Sequence, residues 1–110
     1  MARQVVAKVD DVPSGTMVKV EGIDVLVANV DGKYYAVEAT CPHGQAKLWE
    51  GSLEGDILVC PAHGARFQLQ DGALRKPMTN YYGLPYGGPA TRDLKTYSVQ
   101  AEDGQVVLTM

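Results

Sequence analysis

Residues 41–44 read CPHG and residues 60–64 read CPAHG, and these two stretches contain both cysteines and both histidines of the chain. Each stretch offers one thiolate and one imidazole, two groups that bind transition metals. A proline follows each cysteine and a glycine follows each histidine, which favours stiff turns whose backbone N–H groups face inward. The candidate metal ligands are therefore Cys41, His43, Cys60 and His63.

Two kinds of metal centre use two cysteines and two histidines. A structural zinc site has this ligand set, but zinc sites usually group like ligands, as Cys-x2-4-Cys and His-x3-5-His. Here each stretch mixes the two types, which suits a cluster whose two irons have different ligands. The spacing favours an iron–sulfur cluster, with a structural zinc module as the alternative and a disulfide-stapled scaffold disfavoured.

The pattern Cys-x-His, sixteen residues (44–59), then Cys-x-x-His resembles the Rieske family. The resemblance implies one 2Fe-2S cluster, with Cys41 and Cys60 on one iron and His43 and His63 on the other. Further similarity to the family's spacer and loops is carried by Leu48, Gly51, Gly55, Arg66-Phe67, Asp71-Gly72 and Gly88-Pro89.

Four positions differ from the high-potential branch of that family. Respiratory and photosynthetic members have a disulfide between the ligand loops, at the positions of Ala46 and Ala62. They also have hydroxyl groups that donate to the cluster sulfurs, at the positions of Ala65 and Phe67. Because hydrogen bonds to sulfur stabilise the reduced cluster, the resemblance implies a reduction potential near the lower limit of the Rieske range, about −150 mV.

The resemblance also implies a role. Low-potential members of this size carry single electrons from a flavin-dependent NAD(P)H reductase to a terminal oxygenase that hydroxylates aromatic rings. Once the four ligands are assigned, no histidine or cysteine remains as a general base or nucleophile, which favours an electron carrier over an enzyme. The alternatives are a small Rieske-like subunit of a larger reductase, such as nitrite reductase, and the zinc module.

Composition limits the remaining possibilities. The chain has 110 residues and a formal net charge of −3, which predicts one domain over 1–110 and disfavours nucleic acid as a partner. No apolar run approaches the roughly 20 residues needed to cross a bilayer, and no signal-peptide core follows the N-terminus. We expect a cytoplasmic protein that does not bind membranes.

Short β-branched runs between turn residues predict an all-β fold, a Rieske-like antiparallel β-sandwich. Its cluster-binding subdomain, made of two hairpin loops, is expected within about 40–90, with the basal sheet formed by the remainder. Residues 76–90, rich in proline and glycine, are predicted to be a loop, and Trp49 is predicted to pack rather than to dock a partner. The predicted strands are 4–9, 16–21, 23–30, 33–38, 56–60, 66–69, 94–100 and 105–109, with Asp-Gly turns at Asp31-Gly32, Asp71-Gly72 and Asp103-Gly104.

Overall fold

The computed structural model describes residues 3–40, 47–61, 65–76 and 93–109, without the side chains of Arg75 and Lys76. Within these ranges the chain forms ten strands and two short 3-10 helices, so the predicted all-β class is confirmed. The 3-10 helices are Val9–Asp11 and Leu48–Glu50. The strands are β1 (Arg3–Lys8), β2 (Thr16–Lys19), β3 (Val25–Val30), β4 (Lys33–Glu38), β5 (Ser52–Glu54), β6 (Ile57–Val59), β7 (Arg66–Gln68), β8 (Leu74–Lys76), β9 (Thr96–Glu102) and β10 (Gln105–Thr109).

The strands form two antiparallel sheets. The large sheet has the order β1-β10-β9-β4-β3-β2, and the small sheet has the order β5-β6-β7-β8. The final hairpin, β9–β10, therefore returns to β1 and β4. Cys60, the first residue of the second ligand stretch, directly follows β6 of the small sheet.

Two tight turns fix the register of the large sheet. Asp31-Gly32 joins β3 to β4 with φ of 52° and 88°, and Asp103-Gly104 joins β9 to β10 with φ of 49° and 76°. Positive φ at both central residues is the type I′ geometry that matches strand twist. Both predicted hairpins are confirmed.

The hydrophobic core has two parts, and β3 contributes to both. Val25 and Val27 lie in what we call the basal core, whereas Leu26 and Ala28 lie in the shared core, between the two sheets. Burial of both faces explains why β3 reads as a continuous apolar run instead of an alternating one. The basal core is Val12, Val20, Val25, Val27, Ala36, Val106 and Leu108. The shared core is Leu26, Ala28, Val37, Ala39, Leu48, Leu58, Cys60, Ala65, Phe67, Leu69 and Leu94.

The large sheet is continuous only through a short junction. β4 and β9 share two residue pairs, Ala36 with Tyr97 and Val37 with Thr96. The sheet can fold over at such a junction, and residues of β3 and β10 indeed meet in the basal core although two strands separate them in the sheet. This folding leaves the opposite face of β3 and β4 available to pack against the small sheet.

Several predicted boundaries were wrong. Strands β5 and β8 were not predicted, since three residues are too few to show a period. Val9 begins a 3-10 helix instead of ending β1, and β9 starts at Thr96 instead of residue 94. Of the predicted loop 76–90, Lys76 ends β8 and the rest lies outside the described residues. No helix in the described part of the chain is long and apolar enough to cross a membrane.

Candidate metal centre

The second ligand stretch lies at the end of the β6–β7 hairpin. Val59 pairs with Arg66, and the backbone N–H of Cys60 donates to the carbonyl of Ala65 at 2.8 Å. This hydrogen bond extends the hairpin by one residue pair beyond the strands. The predicted hairpin position is therefore confirmed for Cys60.

The first ligand stretch also has a closed base. Thr40 forms an antiparallel bridge with Lys47, and the N–H of Leu48 donates to the carbonyl of Ala39 at 2.9 Å. The described residues on either side of 41–46, Thr40 and Lys47, are therefore direct neighbours. Three of the predicted ligands, Cys41, His43 and His63, lie outside the described residues.

The bases of the two ligand stretches are packed into one core. Ala39 and Leu48 flank the first stretch, Cys60 and Ala65 flank the second, and all four belong to the shared core with at most 2% of their surface exposed. Cys60 is thus a buried thiol that can bind a metal, and it lies in the same core as the residues that flank the first stretch. This arrangement fits a cofactor held between two loops, with cysteine as one of its ligands.

Three acidic side chains accept hydrogen bonds that join separate segments of the described chain. The Thr40 hydroxyl donates to Oδ1 of Asp24 at 2.7 Å, and Asp24 lies just before β3. Glu38, only 6% exposed, accepts the Lys95 N–H on Oε1 at 2.9 Å. Asp93 accepts the Leu74 N–H on Oδ1 at 2.8 Å.

Sequence reasoning did not identify Asp24, Glu38 and Asp93 as supports. Their partners are 16, 57 and 19 residues away in the chain, so no local spacing could reveal them. Short acidic side chains in loops commonly bond backbone N–H groups, which is the available signal for Asp93, whereas Asp24 bonds a hydroxyl and Glu38 ends β4. That signal indicates a type of contact but not its partner.

Trp49 and Arg66, both singled out in the sequence, have partners within the chain. The Trp49 ring lies against the shared core with Lys19 Nζ 5.7 Å from its centroid, which confirms the packing interpretation. Arg66 forms an ion pair with Glu54 across the small sheet. The charge of Arg66, on β7, is thus compensated by Glu54, on β5 of the same small sheet.

Comparison with known proteins agrees with this architecture. Residues 2–98 match the family described as Rieske [2Fe-2S] domain. The ferredoxin component of naphthalene 1,2-dioxygenase/salicylate 5-hydroxylase systems from Ralstonia sp is 37% identical over 107 residues, covering 94% of this chain and 91% of the relative.

Two solved structures have the same fold. The ferredoxin of Sphingomonas yanoikuyae B1 aligns with a TM-score of 0.77 and 29% identity, covering 99% of both chains. A chain of the complex of reduced oxygenase and oxidized ferredoxin in carbazole 1,9a-dioxygenase aligns with a TM-score of 0.74 and 30% identity, covering 96% of this chain and 91% of that one. This chain therefore belongs to the Rieske [2Fe-2S] domain family, and its cofactor is one Rieske 2Fe-2S cluster.

Proposed function

We propose that this protein carries single electrons from a flavin-dependent NAD(P)H reductase to a terminal oxygenase that acts on aromatic rings. The proposed ligands are Cys41 and Cys60 for one iron and His43 and His63 for the other. The relatives named as ferredoxin components of dioxygenase systems support the role. We place the carrier in the cytoplasm, where reduced nicotinamide nucleotides are available to such a reductase.

The observation that carries the proposal is the common core beneath the two ligand stretches. Cys60 lies in that core beside Ala65, and Ala39 and Leu48 hold the other base within the same cluster. Bound there, a 2Fe-2S cluster supplies reversible one-electron chemistry. We expect the packed bases to limit the rearrangement that accompanies a change in the charge of the cluster. A fixed site of this kind suits an electron carrier.

Isolation under anaerobic conditions tests the cofactor assignment. Iron and sulfide analysis should give a 2Fe-2S stoichiometry, and EPR of the reduced protein should show mixed nitrogen and sulfur ligation. Cys60→Ala should lose this signal because it removes a thiolate ligand. Val106→Ala, which truncates a fully buried residue of the basal core, should lose stability but keep the signal. A zinc-loaded, iron-free wild-type protein would favour the structural zinc module instead.

Rapid-mixing measurements with candidate partners test the electron path. The oxidised protein should be reduced by a flavin-dependent reductase with NAD(P)H, and the reduced protein should be reoxidised by an aromatic-ring oxygenase within a catalytic turnover. If the protein instead co-purifies stably with a large reductase and exchanges no electrons with an oxygenase, it is a reductase subunit such as that of nitrite reductase.

A further inference from the structure

Gly51 lies between the two ligand stretches and ends the 3-10 helix Leu48–Glu50. Its N–H donates to the carbonyl of Leu48 at 3.0 Å. Its backbone angles are φ −79° and ψ −152°. Since this φ is open to any L-residue, backbone conformation does not explain a glycine here.

Space explains it. A Cβ placed on Gly51 would lie 2.0 Å from the carbonyl oxygen of Val59, 3.1 Å from Cδ of Pro61 and 3.2 Å from the carbonyl oxygen of Leu48. The first distance is far below any real Cβ contact, and the atom in the way belongs to the backbone. A side chain at position 51 must therefore push two backbone segments apart.

Those two segments are the bases of the two ligand stretches. Val59 directly precedes Cys60, and Leu48 donates its N–H to Ala39, two residues before Cys41. Gly51 lies against Val59, at the base of the second ligand stretch, and donates a hydrogen bond to Leu48, at the base of the first. Gly55, in the next turn of the same chain segment, would place a Cβ in open space.

We propose that Gly51 is a positioning residue that sets the separation of the two ligand loops. A methyl group at this position displaces Val59, and with it Cys60 and Pro61, from the base of the first loop. The cluster then binds in a distorted frame or less firmly. This inference rests on the ligand set proposed above.

The test compares Gly51→Ala with Gly55→Ala, both purified anaerobically. Gly55→Ala strains a residue with φ of +62° and should lower stability, but it should keep the wild-type EPR g-values and reduction potential. Gly51→Ala should change both, and it should lose iron to a chelator about tenfold faster, the effect typical of disturbing residues behind metal ligands. These spectroscopic readouts separate positioning from a purely structural role.

A second pair of variants covers failure of Gly51→Ala to fold. Leu48→Ala loosens the same segment through its side chain, and Leu108→Ala truncates an equally buried leucine of the basal core on β10. Leu48→Ala should shift the g-values, and Leu108→Ala should not.

The inference is overturned if Gly51→Ala has the same g-values, reduction potential and rate of iron loss as the wild type. If that variant does not fold, equal spectra in the two leucine variants would do the same. An iron-free wild-type protein overturns the proposed function, and this inference with it, whereas a wild-type cluster with unchanged variants overturns this inference alone.

Discussion

Ala65 is the residue through which the reduction potential can be changed most simply. It is fully buried, and its carbonyl accepts the N–H of Cys60 at the base of the second ligand loop. High-potential members of the family have a hydroxyl donor at this position. Ala65→Ser should therefore raise the potential, because a hydrogen bond to a cluster sulfur favours the reduced form.

The expected rise follows from ordinary hydrogen-bond energies. A net contribution of about 1 kcal/mol corresponds to roughly 40 mV for a one-electron couple. Potentiometric titration monitored by EPR measures it. Ala36→Ser, which buries a hydroxyl in the basal core, is the matched control and should leave the potential unchanged. Equal potentials in wild type and Ala65→Ser would mean that no hydroxyl at position 65 reaches a cluster sulfur.

The β3–β4 hairpin depends on a buried amide. Asn29 donates from Nδ2 to the carbonyl of Val12 at 2.7 Å and accepts the N–H of Gly32 on Oδ1 at 2.9 Å. Asn29→Ala leaves both backbone groups without these partners and should lower the free energy of unfolding by about 1–3 kcal/mol. Chemical denaturation measures the loss, and the reduction potential should not change.

Gln100→Ala is the control for that hairpin variant. The Gln100 amide also donates to an oxygen, Oε1 of Glu102, but this hydrogen bond is exposed to solvent on β9. Its removal should cost less than about 0.5 kcal/mol. A similar loss of stability in both variants would show that burial of the Asn29 amide adds nothing.

The two strands that begin directly after a positive-φ Asp-Gly pair were the most predictable from sequence. β4 and β10 begin directly after such turns and were predicted with their observed bounds. β5 and β8 were not, because their three residues acquire strand geometry from pairing with β6 and β7. Local patterns specify turns well, but they do not specify strands that exist only through tertiary pairing.

The candidate site was predictable in the same uneven way. The hairpin position of Cys60 followed from its neighbours, whereas the closeness of Gly51 to Val59 did not. That contact follows from the pairing of β5 with β6, which places Ser52 opposite Val59, and no spacing in the sequence encodes this pairing. The residue types of a site can thus be recognised locally, but the distances between its loops are a property of the fold.

The whole molecule has two cores that depend differently on the cofactor. The basal core draws on β3, β4 and β10 and contains no residue of the small sheet, whereas the shared core includes Cys60 and residues of β6 and β7. Metal binding contributes folding free energy most directly to the structure that its ligands hold together. The small sheet lies within the cluster-binding part expected at about 40–90 of a single domain, and that division stays a prediction.

Removal of the cluster should therefore loosen the small sheet more than the large one. After chelation of iron under anaerobic conditions, amides of β6 and β7 should exchange with deuterium at least about tenfold faster, since local opening there loses its cofactor support. The large sheet should keep its protection against hydrogen exchange because the basal core is intact. This applies to the amides of β3 that face β2 and to those that pair β10 with β1. Hydrogen exchange with mass spectrometry distinguishes the two regions. Uniform acceleration in both sheets would show instead that the chain unfolds as one cooperative unit, with the shared core transmitting loss of the cluster to every strand.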